Sequence, residues 1–214
     1  MQESKMDEMV LTVGTGSTWA MRAALVLGLT GFKWREQVFE LKDAAALHRL
    51  KQQAPAGLVP WLVHDGVRVH DSLAIAEYLH ELCPDRGLYP ADPARRALAR
   101  SLCAELHSGF GQIRSRLPYF LGAPRKQEPP LEALSELARL QVIWAQAGAS
   151  FYFGAPGILD AFYAVMAQRL FNYGIALPGA AGAYQQHLLA WPLWQATLER
   201  AGKDWPALAA KSQG

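Results

Sequence analysis

Cysteine is scarce in this chain of 214 residues, which holds only Cys83 and Cys103. The two make neither a Cys-x-x-Cys pair nor a disulfide framework, so each reads as a small buried hydrophobe. Charge of one sign is also missing. The net charge is +2 and the 21 Lys and Arg residues are spread along the chain, leaving no basic cluster to follow a phosphate backbone, so nucleic acid is not an expected partner. Long apolar runs are absent as well. The longest, Ala23 to Leu29, falls far short of the roughly 18 to 20 residues that span a bilayer, so no membrane insertion is expected. Met1 to Met9 mixes Glu3, Lys5, Asp7 and Glu8 and lacks the apolar stretch of a secretory signal. The expectation is a soluble, cytoplasmic protein.

What is present is enough apolar material for a large core: 51% of residues are hydrophobic and 19% charged, which excludes disorder as the main state. Up to about Cys83, short strand-like and helical pieces alternate. Val10 to Val13 reads as a strand, Thr18 to Leu29 as an apolar helix ended by Gly31, Trp34 to Leu41 as a second strand, and Asp43 to Lys51 as a short helix. Trp61 to Val63 and Val67 to Val69 flank Asp65-Gly66, a dipeptide that tolerates positive φ and so marks a hairpin. Ser72 is the expected N-cap of a helix that Pro84 stops. The proline-rich segment PDRGLYPADP continues neither neighbour. Beyond it, helical spacing runs through Ala94 to Arg116, Leu131 to Gln146, Ile158 to Asn172, Gly182 to Leu189 and Leu193 to Ala201.

This βαβαββα order followed by an all-α bundle resembles the glutathione transferase superfamily: a thioredoxin-like domain (α/β) and an all-helical C-terminal domain. By that resemblance residues 9–83 form the glutathione-binding domain, 84–92 the linker and 93–214 the helical domain. Glutathione chemistry needs a thiolate, whereas a free thiol has a pKa near 8.5, so the site must stabilise the anion. A hydroxyl at a helix N-terminus does so, because unpaired N–H groups and the helix dipole favour negative charge there. The run Ser17-Thr18-Trp19-Ala20-Met21-Arg22 resembles the Ser-Ser-x-x-x-Arg stretch of zeta-like, serine-type bacterial members. The resemblance implies that Ser17 donates to the glutathione sulfur, with Thr18 as the alternative donor. No tyrosine stands in the first strand and no cysteine near Ser17, so tyrosine-type and disulfide chemistry lack a candidate.

Ala54 to Trp61 resembles the family's Asn-Pro-x-Gly-x-Val-Pro segment. The resemblance implies a cis bond at Val59-Pro60 and backbone pairing of Val59 with glutathione, with Leu58 alongside. Ala54 and Leu58 depart from the usual Asn and Lys or Gln, which leaves the glycyl carboxylate with fewer partners. Asp71-Ser72-Leu73-Ala74-Ile75-Ala76-Glu77-Tyr78-Leu79 resembles the acidic-Ser-x-x-Ile-x-x-Tyr-Leu pattern; it implies Ser72 for the γ-glutamyl carboxylate and Asp71 for the α-amino group. Trp19, His107, Phe110 and Tyr119 are the candidates for the second-substrate pocket. Gly157 to Asp160 resembles the family's capping box, a folding element.

The expected function is therefore a glutathione transferase with glutathione as co-substrate, no metal, a small apolar electrophile, a homodimeric assembly and a detoxification role. Two alternatives stand beside it: a glutathione-dependent cis-trans isomerase like maleylacetoacetate isomerase, and a non-catalytic regulatory protein on the same fold.

Overall fold

The computed structural model describes residues 9–148 and 150–211. The reading of Met1 to Met9 falls almost entirely outside them.

The opening strand β1 (Met9–Gly14) carries Leu11 and Val13 fully buried. It pairs in parallel with β2 (Trp34–Phe39), with Met9 opposite Trp34 and Gly14 opposite Phe39. On its other side it pairs antiparallel with β3 (Trp61–His64), which turns through Asp65 and Gly66 into β4 (Val67–His70). Both turn residues have positive φ, 48° and 76°, the geometry that matches the twist of two-residue hairpins. The sheet order is β2-β1-β3-β4. β2 ends two residues earlier than its pattern indicated, because the Leu41 N–H turns away to Thr15 Oγ1 at 3.1 Å.

Helix α1 (Thr18–Thr30) is apolar on all sides and ends on Gly31 in the left-handed region. A helix apolar all round has to be covered all round, and α1 packs against the sheet, α3 (Ser72–Leu82), α7 (Ile158–Asn172) and α9 (Pro192–Glu199). Gly28, a costly residue in mid-helix, is explained by the approach of α9: a Cβ there would stand 2.8 Å from Leu193 Cδ1. Helix α2 (Ala44–Gln53), capped by Asp43, covers a small separate core of Phe39, Ala46, Leu50, Ala54 and Trp61.

Helix α3 (Ser72–Leu82) starts differently from the expectation. Asp71, not Ser72, is its N-cap, with Asp71 Oδ1 accepting from Leu73 N at 2.7 Å and Ala74 N at 3.3 Å. Asp71 has a φ of 74°, so the chain enters the helix by a sharp turn that places Ser72 inside the first helical turn. After α3, Pro84–Arg86 forms a 3₁₀ turn, and Pro93 opens α4 (Pro93–Ser108) at the position where a missing N–H costs nothing.

The expected helix from Ala94 to Arg116 is interrupted. α4 stops at Ser108, Phe110 takes a left-handed conformation with φ 55°, and α5 (Gly111–Arg116) begins afresh. Leu131 to Ala133 are 3₁₀ and α6 runs Leu134–Trp144. α7 (Ile158–Asn172) matches its sequence boundaries and is buried along nearly its whole length. α8 (Gly179–Ala190) and α9 (Pro192–Glu199) follow; a π-helical turn Arg200–Asp204 then leads into α10 (Trp205–Lys211), which the periodicity had not indicated. One continuous apolar core runs from β1 and α1 into α4, α6, α7 and α8. Full burial of residues such as Phe162, Tyr163 and Trp144 contributes on the order of 1.5 to 3 kcal/mol each before entropy is counted.

Asp160 holds the start of α7. Its Oδ2 accepts from Gly157 N at 3.0 Å, and its Oδ1 from Tyr152 N at 2.9 Å and Tyr184 Oη at 2.6 Å. Of the cysteines, Cys103 is fully buried, while Cys83 is half-buried, its Sγ donating to Leu79 O.

Candidate functional site

The turn from β1 into α1 is shaped by Gly16, whose φ of 71° favours glycine. It presents Ser17 as the N-cap of α1: Ser17 Oγ accepts from Ala20 N at 3.2 Å. That bond uses a lone pair and leaves the hydroxyl proton free to be donated. Ser17 is 8% exposed. Thr18 is the first residue inside the helix and half-buried.

A cavity of about 370 Å³ lies beside this turn. Trp19, Leu58, Val59, Pro60, Asp71, Ser72 and His107 all line it, together with Ala56 and His70. The Val59-Pro60 bond is cis. Leu58 is 69% exposed, so its side chain covers little. Ser72 is buried, and its Oγ has no hydrogen-bond partner; an orphaned buried hydroxyl at a helix start fits an incoming anion. His107, from α4, stands with Nε2 3.1 Å from Asp71 Oδ2, and its ring meets Trp19 edge-on at 4.9 Å. Asp71 is therefore already engaged on both oxygens, by the α3 backbone and by His107.

Two pocket candidates lie elsewhere. Phe110 is 5% exposed and belongs to the core, because the left-handed break between α4 and α5 carries it inward. Tyr119 lines a second cavity, of about 550 Å³, with Thr15, Gly16, Phe120 and residues of the π-helical turn and α10. Gly16 faces one cavity and Trp19 the other, so the Ser17 turn lies between them. Ser17 itself lines neither.

Sequence reasoning missed a cluster of arginines behind Trp19. Arg22 is 2% exposed, with its Cζ 4.4 Å from the Trp19 ring and 5.2 Å from the Phe162 ring. Burial, then the nearby charges of Arg169 and Arg114, lower its pKa to about 9. Burial likewise lowers Arg169 to about 10. Arg114 stacks on Trp19 at 5.6 Å. The three residues come from α1, α5 and α7, and no local pattern links them. Among the described residues no group of three or more His, Cys, Asp or Glu side chains is placed to hold a metal, and no helix is long and apolar enough to cross a membrane.

Residues 16–82 match the family "Glutathione S-transferase, N-terminal domain". A probable maleylacetoacetate isomerase of Caenorhabditis elegans is 39% identical over 44% of this chain, and the match spans only 42% of that protein's length. A probable glutathione S-transferase of Nicotiana plumbaginifolia is 26% identical over 86% of this chain and 84% of its own. Among solved structures, a glutathione transferase homolog from Burkholderia with bound glutathione superposes with a TM-score of 0.71 at 28% identity. That superposition covers 92% of this chain and 98% of the other.

Proposed function

Because the chain carries a glutathione S-transferase N-terminal domain within the glutathione transferase fold, we propose that it is a glutathione transferase that activates glutathione as a thiolate for attack on a small electrophile. The observation that carries this reading is the convergence on one cavity of cis Val59-Pro60, Asp71, Ser72 and Trp19, next to the Ser17 cap of α1. In this reading the Val59 backbone pairs with the cysteinyl part of glutathione. Ser72 Oγ and the backbone N–H of Ser72 take the γ-glutamyl carboxylate, since Asp71 Oδ1 already holds Leu73 N and Ala74 N. Asp71 receives the α-amino group, an arrangement in which His107 shares the carboxylate. Ser17 donates its hydroxyl proton to the sulfur, and the positive end of α1 adds to the stabilisation of the thiolate. Catalysis is then a lowered thiol pKa together with the positioning of two reactants.

A second reading, glutathione-dependent cis-trans isomerisation, is favoured by the maleylacetoacetate isomerase relative. In both readings we infer a cytoplasmic homodimer; detoxification belongs to the first. Calorimetric titration with glutathione, followed by a conjugation assay with 1-chloro-2,4-dinitrobenzene and an isomerisation assay with a cis-enone diacid, tests and separates them. Absence of glutathione binding would overturn both.

A further inference from the structure

The Thr15-Gly16 turn ahead of Ser17 opens on the larger cavity, and packing gives it little support: Gly16 is exposed, and a Cβ built on it would meet nothing within 4 Å. What holds the turn is the corner that follows β2. Thr15 N–H donates to Phe39 O at 3.0 Å, and the Thr15 hydroxyl works in both directions: Oγ1 accepts from Leu41 N at 3.1 Å and donates to Glu40 Oε1 at 2.8 Å. The same carboxylate oxygen accepts from Lys42 N at 3.0 Å, which fixes the Glu40 side chain against its own backbone. Leu41 closes the joint, since a Cβ at Gly14 would stand 2.6 Å from Leu41 Cγ and would have to displace it. Ser17 N–H in turn donates to Gly14 O at 3.0 Å. One chain of contacts thus runs from Glu40 through Thr15 and Gly14 to the serine. A hydrogen bond to a carboxylate is roughly twice as strong as one between neutral groups, so Glu40 is the firmest point in that chain.

We propose that Glu40 is a positioning residue for the thiol chemistry: through Thr15 it holds the turn between β1 and α1 so that Ser17 Oγ faces the sulfur of bound glutathione. The role rests on the transferase reading, in which Ser17 is the donor. Glu40 touches neither reactant in this role. Its charge by itself would work the other way, because a carboxylate beside the turn disfavours a second negative charge nearby. Geometry and charge therefore predict opposite signs when the carboxylate is removed: loss of the brace raises the thiol pKa, and loss of the charge lowers it. Glu40→Gln separates the two, since the amide oxygen still accepts from Thr15 and Lys42 while the charge is gone.

The test uses the full chain as E40A, E40Q, T15V, T15S and the double variant E40A/T15V, with thermal melting to confirm that each is folded. Amide hydrogen exchange without glutathione reads the brace. The N–H groups of Thr15 and Ser17 should exchange about tenfold faster or more in E40A and T15V than in wild type, the effect of losing one charge-assisted hydrogen bond on a local opening. In E40Q and T15S they should exchange near the wild-type rate. Thiolate absorbance of bound glutathione against pH reads the function. The thiol pKa should rise in E40A and T15V by part of the roughly one to two units that loss of the Ser17 bond itself would cost. It should lie at or below the wild-type value in E40Q and near that value in T15S. The double variant should match the single ones, because both changes cut the same chain of contacts. A thiol pKa that falls in E40A assigns Glu40 a purely electrostatic effect and overturns the proposal, as does one that E40A and T15V leave unchanged, whatever the exchange rates do. Shifts that add in the double variant place the two residues in separate roles and overturn it too. If wild type binds no glutathione, or leaves its thiol at the free value, the transferase reading fails and takes this role with it. If wild type lowers the thiol pKa and the variants match it, the positioning role alone falls.

Discussion

His107 Nε2 lies 3.1 Å from Asp71 Oδ2, so a helix of the C-terminal part grips the residue that caps α3. The pair is partly exposed, 27% and 44% for the two side chains, and its own contribution to stability is small. Its consequence lies in orientation: the carboxylate is fixed by Leu73 N, Ala74 N and His107 together, and His107 also touches Trp19. His107→Phe is therefore expected to raise the KM for glutathione several-fold with a smaller change in kcat, and His107→Asn to restore part of the loss. A kcat that falls with KM untouched would assign His107 to the chemical step instead of to positioning.

Asp71 carries a second expectation. It combines a cap with a φ of 74°, a region that Asn and Asp tolerate far better than other side chains. Asp71→Asn should keep the melting temperature within a degree or two, while Asp71→Ala should lose about 1 to 2 kcal/mol in denaturant unfolding. Equal stability of the two variants would show that the cap contributes nothing.

Ser72→Ala removes the buried, unpartnered hydroxyl at the start of α3. Stability is expected to hold or improve, because no hydrogen bond of the free protein is lost. Glutathione affinity should weaken by about 1.5 to 3 kcal/mol, the range for a hydrogen bond to a charged group. Calorimetry reads both proteins directly, and equal affinity would remove Ser72 from the binding site.

Ser17→Ala should raise the thiol pKa of bound glutathione by roughly one to two units, as expected from losing about 1.5 to 3 kcal/mol of hydrogen bonding to a thiolate. The same change deletes the cap on Ala20 N, so about 1 kcal/mol of stability should go with it. Thiolate absorbance against pH, compared with Thr18→Ala, decides which hydroxyl acts. If neither variant moves the curve, backbone N–H groups and the helix dipole alone activate the thiol.

Asp160 makes a prediction about the fold. Burial pushes its carboxyl above the ordinary range, against the downward pull of Tyr152 N–H, Tyr184 O–H and Gly157 N–H. A carboxyl raised in the folded state contributes stability that is present below its unfolded pKa and is lost as pH rises through the folded value. The stability gap between wild type and Asp160→Asn, measured by urea unfolding, should thus widen as pH is lowered from 7 into the carboxyl range. Asp160→Ala, which strands three buried donors, is expected to cost about 3 to 5 kcal/mol.

Much of this was legible in the order of residues. The Asp65-Gly66 turn, the Gly31 stop of α1 and the span of α7 depend on turn chemistry and periodicity that act over a few neighbouring positions, whereas Ser17, Val59-Pro60 and Asp71-Ser72 stood out by resemblance to a family's motifs. Such signals survive without knowledge of the rest of the chain. Only the tertiary structure decided that Phe110 breaks α4 and enters the core, that Asp71 displaces Ser72 as the cap, and that His107 reaches back to Asp71. The arginine cluster is the clearest case. Residues 22, 114 and 169 share no spacing, and the motif that ends at Arg22 does not link it to the other two. What brings them together is three helices packing at one place, a fact about distance in space that the sequence does not encode locally.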